Sequence, residues 1–413
     1  MTSKNFSEFV AAQGRCAGAL GDHIATFATM LASRGYAEST AKQHVRLAAE
    51  FGYWLDRKEV LVFEVGERRL AEFLSYLRRR GRAARSHITS LRILLGVLRD
   101  SGVVRTVDAE IDTSPIADIE RTFVRHLTEE RGLHTSTVTN YIRVVRRFLL
   151  KRFRGGRARF GELRAADVTR FVADEARTRP RCMPVIVPAL RVFLRWLQQR
   201  GDTKTGLMGC VPAVAAWQLA TLPKALPTDH VKRLLQHCSR ATAVGRRDYA
   251  MLLLLARLGL RAGELVSMKL DDINWESGDL LVRSKGGRED RLPLPRDVGA
   301  AVAAYLRNGR PCCSTRRLFV RAKAPHRGFV SSVAICDIVK RGLKRAGLNP
   351  PRKGAHTLRH ALACTMLRHG ASLAEIGQIL RHRSPDTTAI YAKVDLGALR
   401  ALAQAWPQQA GDA

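Results

Sequence analysis

His356-Thr357-Leu358-Arg359-His360, then Arg381-His382-Arg383-Ser384-Pro385, then Ala389-Ile390-Tyr391-Ala392-Lys393 form the stretch from which the rest of the chain is read. Ser372 with Glu375 three residues on is a capping box and predicts a helix over 373–380. Ser384 and Pro385 read as N-cap and first position of a further helix, one that carries Tyr391. His356 and Arg359 are one helical step apart, so both are expected on one helix face. An anion held between them would lie close to a phenol brought over from the next helix, which is a phosphate site with a nucleophile beside it. Singly, a His–Arg pair on a helix is usually a solvated face and a tyrosine near a C-terminus is usually packing. Only the upstream residues make the combination chemical.

The 413 residues carry 70 Lys+Arg against 37 Asp+Glu, a formal charge of +33. Self-repulsion on that scale opposes compaction, so the excess fits a polyanionic partner whose condensed counterions are released on binding. Nucleic acid is the expected partner, with an anionic membrane surface as the alternative. The length allows two or three domains with their own cores. No apolar run reaches the roughly 18–20 residues that span a bilayer, so no membrane partner is expected. Met1-Thr-Ser-Lys-Asn-Phe-Ser-Glu lacks a basic start followed by an apolar core, and a cytoplasmic location is expected. Eight cysteines without a C-x-x-C pair are expected to be small buried hydrophobes in a reducing compartment, with neither a zinc site nor a disulfide frame.

Two stretches of the first half look alike. Arg34-Gly35-Tyr-Ala-Glu-Ser39-Thr40 matches Arg131-Gly132-Leu-His-Thr-Ser136-Thr137, and Leu91-Arg92 through Leu98 parallels Leu190-Arg191 through Leu197. The offset of 97 to 99 residues predicts a duplicated four-helix module. In the second copy, Val138, Tyr141, Ile142, Val145, Phe148 and Leu149 fall on one helical face, and Thr139, Asn140, Arg143, Arg147 and Lys151 on the other. That polar face mixes cations with hydrogen-bonding side chains, as phosphate and base-edge contacts require, and it is expected to bind DNA.

Leu222-Pro223-Lys224-Ala-Leu-Pro227-Thr228 reads as a semi-rigid linker, with Thr228 capping a new helix. Beyond it, 248–258 predicts a buried leucine-rich helix ended by Gly259, and Arg261 stands at the start of the next. There its guanidinium and the free backbone N–H groups would serve one anion. Two short strands, 279–283 and 291–294, are expected around a Gly-rich turn that puts Lys285 on its tip.

Arg261, Lys285, His356, Arg359, His382 and Tyr391 thus follow one another as Arg–Lys–His-x-x-Arg–His–Tyr. This series resembles the tyrosine recombinase (phage integrase) family. The motifs Leu-Gly-Leu-Arg261-Ala-Gly-Glu-Leu, Ser-Lys285-Gly, His356-Thr-Leu-Arg359-His360, His382-Arg-Ser-Pro-Asp-Thr-Thr and Ile-Tyr391 stand in the family's order, nine positions separating His382 from Tyr391. One departure is Arg381, where the family usually has glycine; it is expected to alter the local backbone or add a phosphate contact to DNA.

The resemblance implies a mainly α protein. Two SAM-like four-helix modules would precede a mixed, mostly helical catalytic domain with a small antiparallel β-sheet. The expected division is an extra N-terminal module over 1–112, a core-binding module over 113–221, a linker over 222–229, a catalytic domain over 230–395 and a protomer-contacting tail helix over 396–413. It implies cleavage and rejoining of double-stranded DNA through a 3′-phosphotyrosyl bond to Tyr391. Arg261 and Arg359 would grip the phosphate, Lys285 would protonate the leaving 5′ oxygen, His356 would handle the tyrosine proton and His382 would bond the scissile phosphate. No cofactor and no metal are expected, and the chain lacks a P-loop. Integration, excision or transposition of a mobile element by a tetramer on DNA is the expected setting, with sibling recombinases as candidate partners. Type IB topoisomerase-like relaxation and a silent DNA-binding accessory role are the alternatives.

Overall fold

The computed structural model describes residues 4–104, 114–153, 158–203, 206–213, 222–284, 287–394 and 399–400. Lys285 and, but for 399 and 400, the expected tail helix lie outside the described residues. Contacts group Val107–Ala220 as one compact unit, and Met1–Thr106 with Thr221–Ala413 as the other. No described helix is long and apolar enough to cross a membrane.

Helices α1 (Lys4–Arg15), α2 (Gly21–Ser33), α3 (Glu38–Asp56), α4 (Glu67–Arg79) and α5 (Arg85–Asp100) surround one apolar core. In the separate unit, α6 (Pro115–Arg125, prolonged by a π turn), α7 (Thr135–Phe153), α8 (Ala165–Thr178) and α9 (Met183–Gln199) surround another. Both groups repeat one plan. Gly35 (φ +78°) and Gly132 (φ +58°) each make a left-handed turn that glycine adopts without strain, and each precedes a helix of 19 residues. A 3₁₀ turn follows, Val62–Glu64 in one group and Phe160–Glu162 in the other. The cores match position for position: Phe51 with Phe148, Phe73 with Phe171 and Leu98 with Leu197 are all buried.

The remaining elements are α10 (Thr228–Gln236), α11 (Ala243–Arg257), α12 (Ala262–Ser267), β1 (Ile273–Asn274), β2 (Asp279–Arg283), β3 (Glu289–Pro293), α13 (Arg296–Asn308), α14 (Ser332–Arg345), α15 (Ala355–Arg368), α16 (Leu373–Ile379) and α17 (Pro385–Ala389). The sheet is antiparallel in the order β1-β2-β3, with Arg283 opposite Glu289 at the hairpin end. Leu280 and Val282 alternate inward from β2 and join the core, which fits period-two patterning. The mostly helical class with a small antiparallel sheet is therefore as expected, and β1 is an addition to the two strands read from sequence.

Several local expectations shift. Pro227 occupies the N-cap position of α10, and the Thr228 hydroxyl accepts a hydrogen bond from Arg368 Nη2 at 2.7 Å instead of capping. Tyr391 lies not on α17 but in the 3₁₀ turn Ile390–Val394 that follows it. Of the eight cysteines, all free, only Cys238 is buried, while Cys16, Cys182 and Cys312 are exposed.

Two helical glycines separate close packing from open surface. A Cβ at Gly52 would stand 2.0 Å from the Ala17 carbonyl oxygen, whereas one at Gly96 would meet nothing within 4 Å. Gly52→Ala is expected to destabilise the fold by about 1–3 kcal/mol through overpacking. Gly96→Ala should stabilise it by about 0.5–1 kcal/mol through helix propensity. Thermal unfolding followed by circular dichroism reads both; equal shifts of one sign would contradict the packing at Gly52.

Candidate active site

Three chain segments meet around one buried cation. α11 ends at Gly259 (φ +56°), where a Cβ would come within 2.7 Å of the Leu380 side chain. α15 then brings Arg359 to this point, 4 % exposed. Its Nη1 donates to the Gly259 carbonyl and its Nη2 to the Leu380 carbonyl at the end of α16. A buried guanidinium needs such acceptors, and a helix C-terminus supplies them with the favourable end of the dipole.

Arg261 occupies the N-cap position of α12 and is held by Glu264 in the helix's first turn. Arg261 Nη1 donates to Glu264 Oε1 at 2.8 Å, and the Arg261 backbone N–H to Oε2 at 2.8 Å. Arg261 Nη2 reaches the Arg381 carbonyl at 3.3 Å. The buried Glu264 also accepts from Ser284 Oγ at 3.1 Å and from Arg381 Nη2 at 2.9 Å. Burial opposes its ionisation, but the Arg261 N–H and the Arg381 charge outweigh that and hold the carboxyl below the usual range.

The Ser372–Glu375 capping box opens α16 as expected. The helix closes with a pair of crossed hydrogen bonds, Arg381 N–H to the Gln378 carbonyl and His382 N–H to the Gly377 carbonyl, both 2.9 Å. This is a Schellman motif, in which Arg381 takes the left-handed position at φ +55°. The motif fixes where His382 begins. His382 Nδ1 pairs with Thr388 Oγ1 at 2.7 Å, and its ring stacks on Tyr391 with centroids 6.5 Å apart and planes 7° off parallel.

Tyr391 is 1 % exposed, and its Oη lies 2.9 Å from His360 Nδ1. Burial pushes its phenol up to about 12, against the pull of Arg359, so the hydroxyl is protonated at neutral pH. Desolvation, then the positive charges of Arg359 and Arg261, lower His382 to about 4. His356 and His360 are shifted the same way by desolvation first, and Arg359 falls to about 10 for the same reason and by repulsion from Arg261. The resting site thus holds neutral imidazoles, a neutral phenol and a surplus of guanidinium charge. An approaching phosphate diester meets that surplus.

The structure brings Arg261, Arg359, His382 and Tyr391 together. His356, itself exposed, makes no hydrogen bond among the described residues, and it is His360 beside it on α15 that holds the Tyr391 hydroxyl. The i, i+4 spacing of these two histidines signalled that both face the cluster, but not which one reaches the phenol. Glu264 and Thr388 were also missed. Arg381, expected to alter the local backbone or add a contact to DNA, is 6 % exposed, and its side chain is paired with the buried Glu264 instead of lying open to DNA.

The α7 face is corrected in part. Thr139, Asn140 and Arg143 are exposed, and among the described residues no carboxylate pairs with Arg143. Arg147 pairs with the buried Glu175 at 3.0 Å and Lys151 with Asp174, both acids coming from α8. Each acid is shared with a second arginine, Glu175 with Arg179 and Asp174 with Arg177, so Arg147 and Lys151 are tied into the module while the cluster stays net positive.

The sequence model of the phage integrase family matches residues 224–396. Integrase/recombinase y4rA of Sinorhizobium fredii is 45 % identical over 396 residues, covering 95 % of this chain and 96 % of that protein. Tyrosine recombinase XerD of Listeria monocytogenes is 31 % identical over 284 residues, covering 67 % of this chain and 94 % of XerD. In fold, the chain is similar to XerH site-specific recombinase in its post-cleavage complex with a palindromic difH substrate. The TM-score is 0.56 at 15 % identity, covering 82 % of this chain and 95 % of that one.

The lowered histidines set a pH dependence. A group whose folded pKa lies below its unfolded value contributes stability above the unfolded pKa and loses it as pH falls. For His382 the window runs from 6.5 down to about 4, and His356 and His360 act in the same direction. Thermal stability is expected to fall as pH drops through this window, and His382→Gln to make the fall shallower. An unchanged slope in the variant would show that His382 does not carry the shift.

Proposed function

The chain belongs to the phage integrase family of tyrosine recombinases, and from that membership we propose that Tyr391 cuts and rejoins DNA strands through a 3′-phosphotyrosyl bond. The observation that carries this reading is the Tyr391 Oη–His360 Nδ1 hydrogen bond of 2.9 Å, set beside the buried guanidinium of Arg359. A phenol attacks well only as it loses its proton, and a neutral imidazole at hydrogen-bond distance is a suitable acceptor. His360 accepts at Nδ1 in the tautomer protonated at Nε2.

In the proposed step Tyr391 Oη bonds to phosphorus as its proton passes to His360. The bond to the 5′ oxygen breaks, and that oxygen takes a proton, a role the family resemblance gives to Lys285. Arg261 and Arg359 neutralise the charge that builds on the non-bridging oxygens, where one preorganised donor is worth about 3 kcal/mol, or roughly 10²–10³ in rate. Attack by a 5′ hydroxyl reverses the sequence and reseals a strand. The phosphotyrosyl bond conserves the energy of the phosphodiester, so the exchange consumes no nucleotide.

The similarity to integrase/recombinase y4rA supports integration, excision or transposition of a mobile element as the setting. Structures of DNA-bound relatives, XerH on difH among them, support duplex DNA as partner. Assembly as a tetramer through 396–413, alone or with sibling recombinases, belongs to the same proposal, as does the division into an extra module, a core-binding module and a catalytic domain. On α7, the exposed Thr139, Asn140 and Arg143 are the proposed DNA contacts.

Wild type incubated with a suicide duplex from the ends of its element should form a covalent protein–DNA adduct in EDTA, and Tyr391→Phe should form none while still binding. An adduct formed by the variant would move the nucleophile elsewhere. Arg143→Ala should weaken DNA binding across sequences and lower the salt slope, d log K/d log [salt], by about 1. An unaltered slope would remove Arg143 from the phosphate contacts.

A further inference from the structure

Arg381 stands where the backbone favours glycine. Its φ of +55° is imposed by the Schellman closure of α16, and among the described non-glycine residues only Glu59 shares a positive φ. A long charged side chain at such a position usually escapes to solvent. This one turns inward and is 6 % exposed, with its Nε buried and without an acceptor. Strain, a buried charge and an unmet donor concentrated in one residue are retained when the surroundings gain from its presence, and they cluster at functional sites.

What the surroundings gain is visible around Glu264. Its two oxygens take four donors: Arg261 Nη1 and Ser284 Oγ on Oε1, the Arg261 N–H and Arg381 Nη2 on Oε2. Arg381 Nη1 is anchored to the Ile379 carbonyl at 3.1 Å, so its guanidinium is fixed from both sides. The carbonyl of the same residue accepts Arg261 Nη2 at 3.3 Å. Arg381 therefore acts on Arg261 twice, directly through its carbonyl and through Glu264 by its side chain.

We propose that Arg381 is a positioning residue that locks Glu264 and neutralises it, leaving the charge of Arg261 available to the scissile phosphate. With one carboxylate on one arginine, the pair is neutral, and a phosphate must compete with Glu264 for Arg261. With two guanidiniums on that carboxylate, the cluster keeps a net positive charge. The proposal rests on the recombinase reading given above, in which Arg261 grips the phosphate.

The test measures single-turnover adduct formation from preassembled protein–DNA complexes for wild type, Arg381→Gly, Arg381→Lys, Arg261→Ala and the Arg261→Ala/Arg381→Gly double variant. Glycine suits the left-handed position, so Arg381→Gly is expected to fold with an unchanged or higher Tm. Its adduct rate should fall roughly 10- to 100-fold, within the range seen on removing a preorganised donor, while its Kd for DNA stays within about 3-fold. Arg381→Lys should recover part of the rate, since an ammonium keeps the charge beside Glu264 without the fork. If Arg381 works through Arg261, the double variant should be no slower than Arg261→Ala alone; independent roles would multiply the two losses. A wild-type rate in Arg381→Gly, or multiplied losses in the double variant, overturns the proposal. Absence of adduct from wild type would instead overturn the recombinase reading.

Discussion

The buried guanidinium of Arg359 is the constraint on which the site depends. It joins carbonyls 100 residues upstream and 21 downstream, at Gly259 and Leu380, so one side chain sets the end of α11 against the end of α16. Leaving either acceptor out would strand a charge in a place with little water. The turn that follows Gly259 delivers Arg261, and the turn that follows Leu380 delivers Arg381 and His382. The apolar residues Leu362 and Leu380 close over Gly259, which is why no side chain fits there.

Electrostatics then follow from crowding three guanidiniums around one carboxylate. Burial, reinforced by the positive field, keeps His356, His360 and His382 neutral, and burial keeps Tyr391 protonated. A site so arranged holds a protonated phenol with a neutral imidazole already in contact with it. In the proposed reaction, formation of the phenolate is coupled to arrival of a group whose developing negative charge the arginines share. Preorganisation of this kind spends no reorganisation energy at the moment of reaction.

The sequence made local structure legible where the signal was itself local. Ser372–Glu375 and Ser384–Pro385 opened the helices they announced, and β2 has the bounds 279–283 read from the sequence beside its Gly-rich turn. Long-range pairing was not legible. Nothing near Arg381 reveals that its partner is Glu264, 117 residues away, so a cation beside a catalytic histidine read as a DNA contact. In the same way Arg147 and Lys151 matched the composition of a nucleic-acid face, while their partners Glu175 and Asp174 belong to the next helix. The choice between His356 and His360 hinged on where a 3₁₀ turn set the Tyr391 hydroxyl, a matter of about one residue's rotation.

The two helical groups of the first half show how one core plan supports unlike surfaces. Thr139, Asn140 and Arg143 of α7 correspond, at an offset of 97, to Lys42, Gln43 and Arg46 of α3. In the first module Lys42 pairs with Glu38 at 2.8 Å, and both Lys42 and Arg46 lie over the ring of Phe9, which α1 supplies. The second module has no counterpart of α1 among its described residues, and its equivalent face is open. Phe51, packed against Phe73, and Phe148, packed against Phe171, are each held by their own module's core and stay alike, whereas a surface position is bound only by what covers it. The added helix therefore separates the two copies more than any substitution in their cores does, because it changes which face of the long helix is left for a partner.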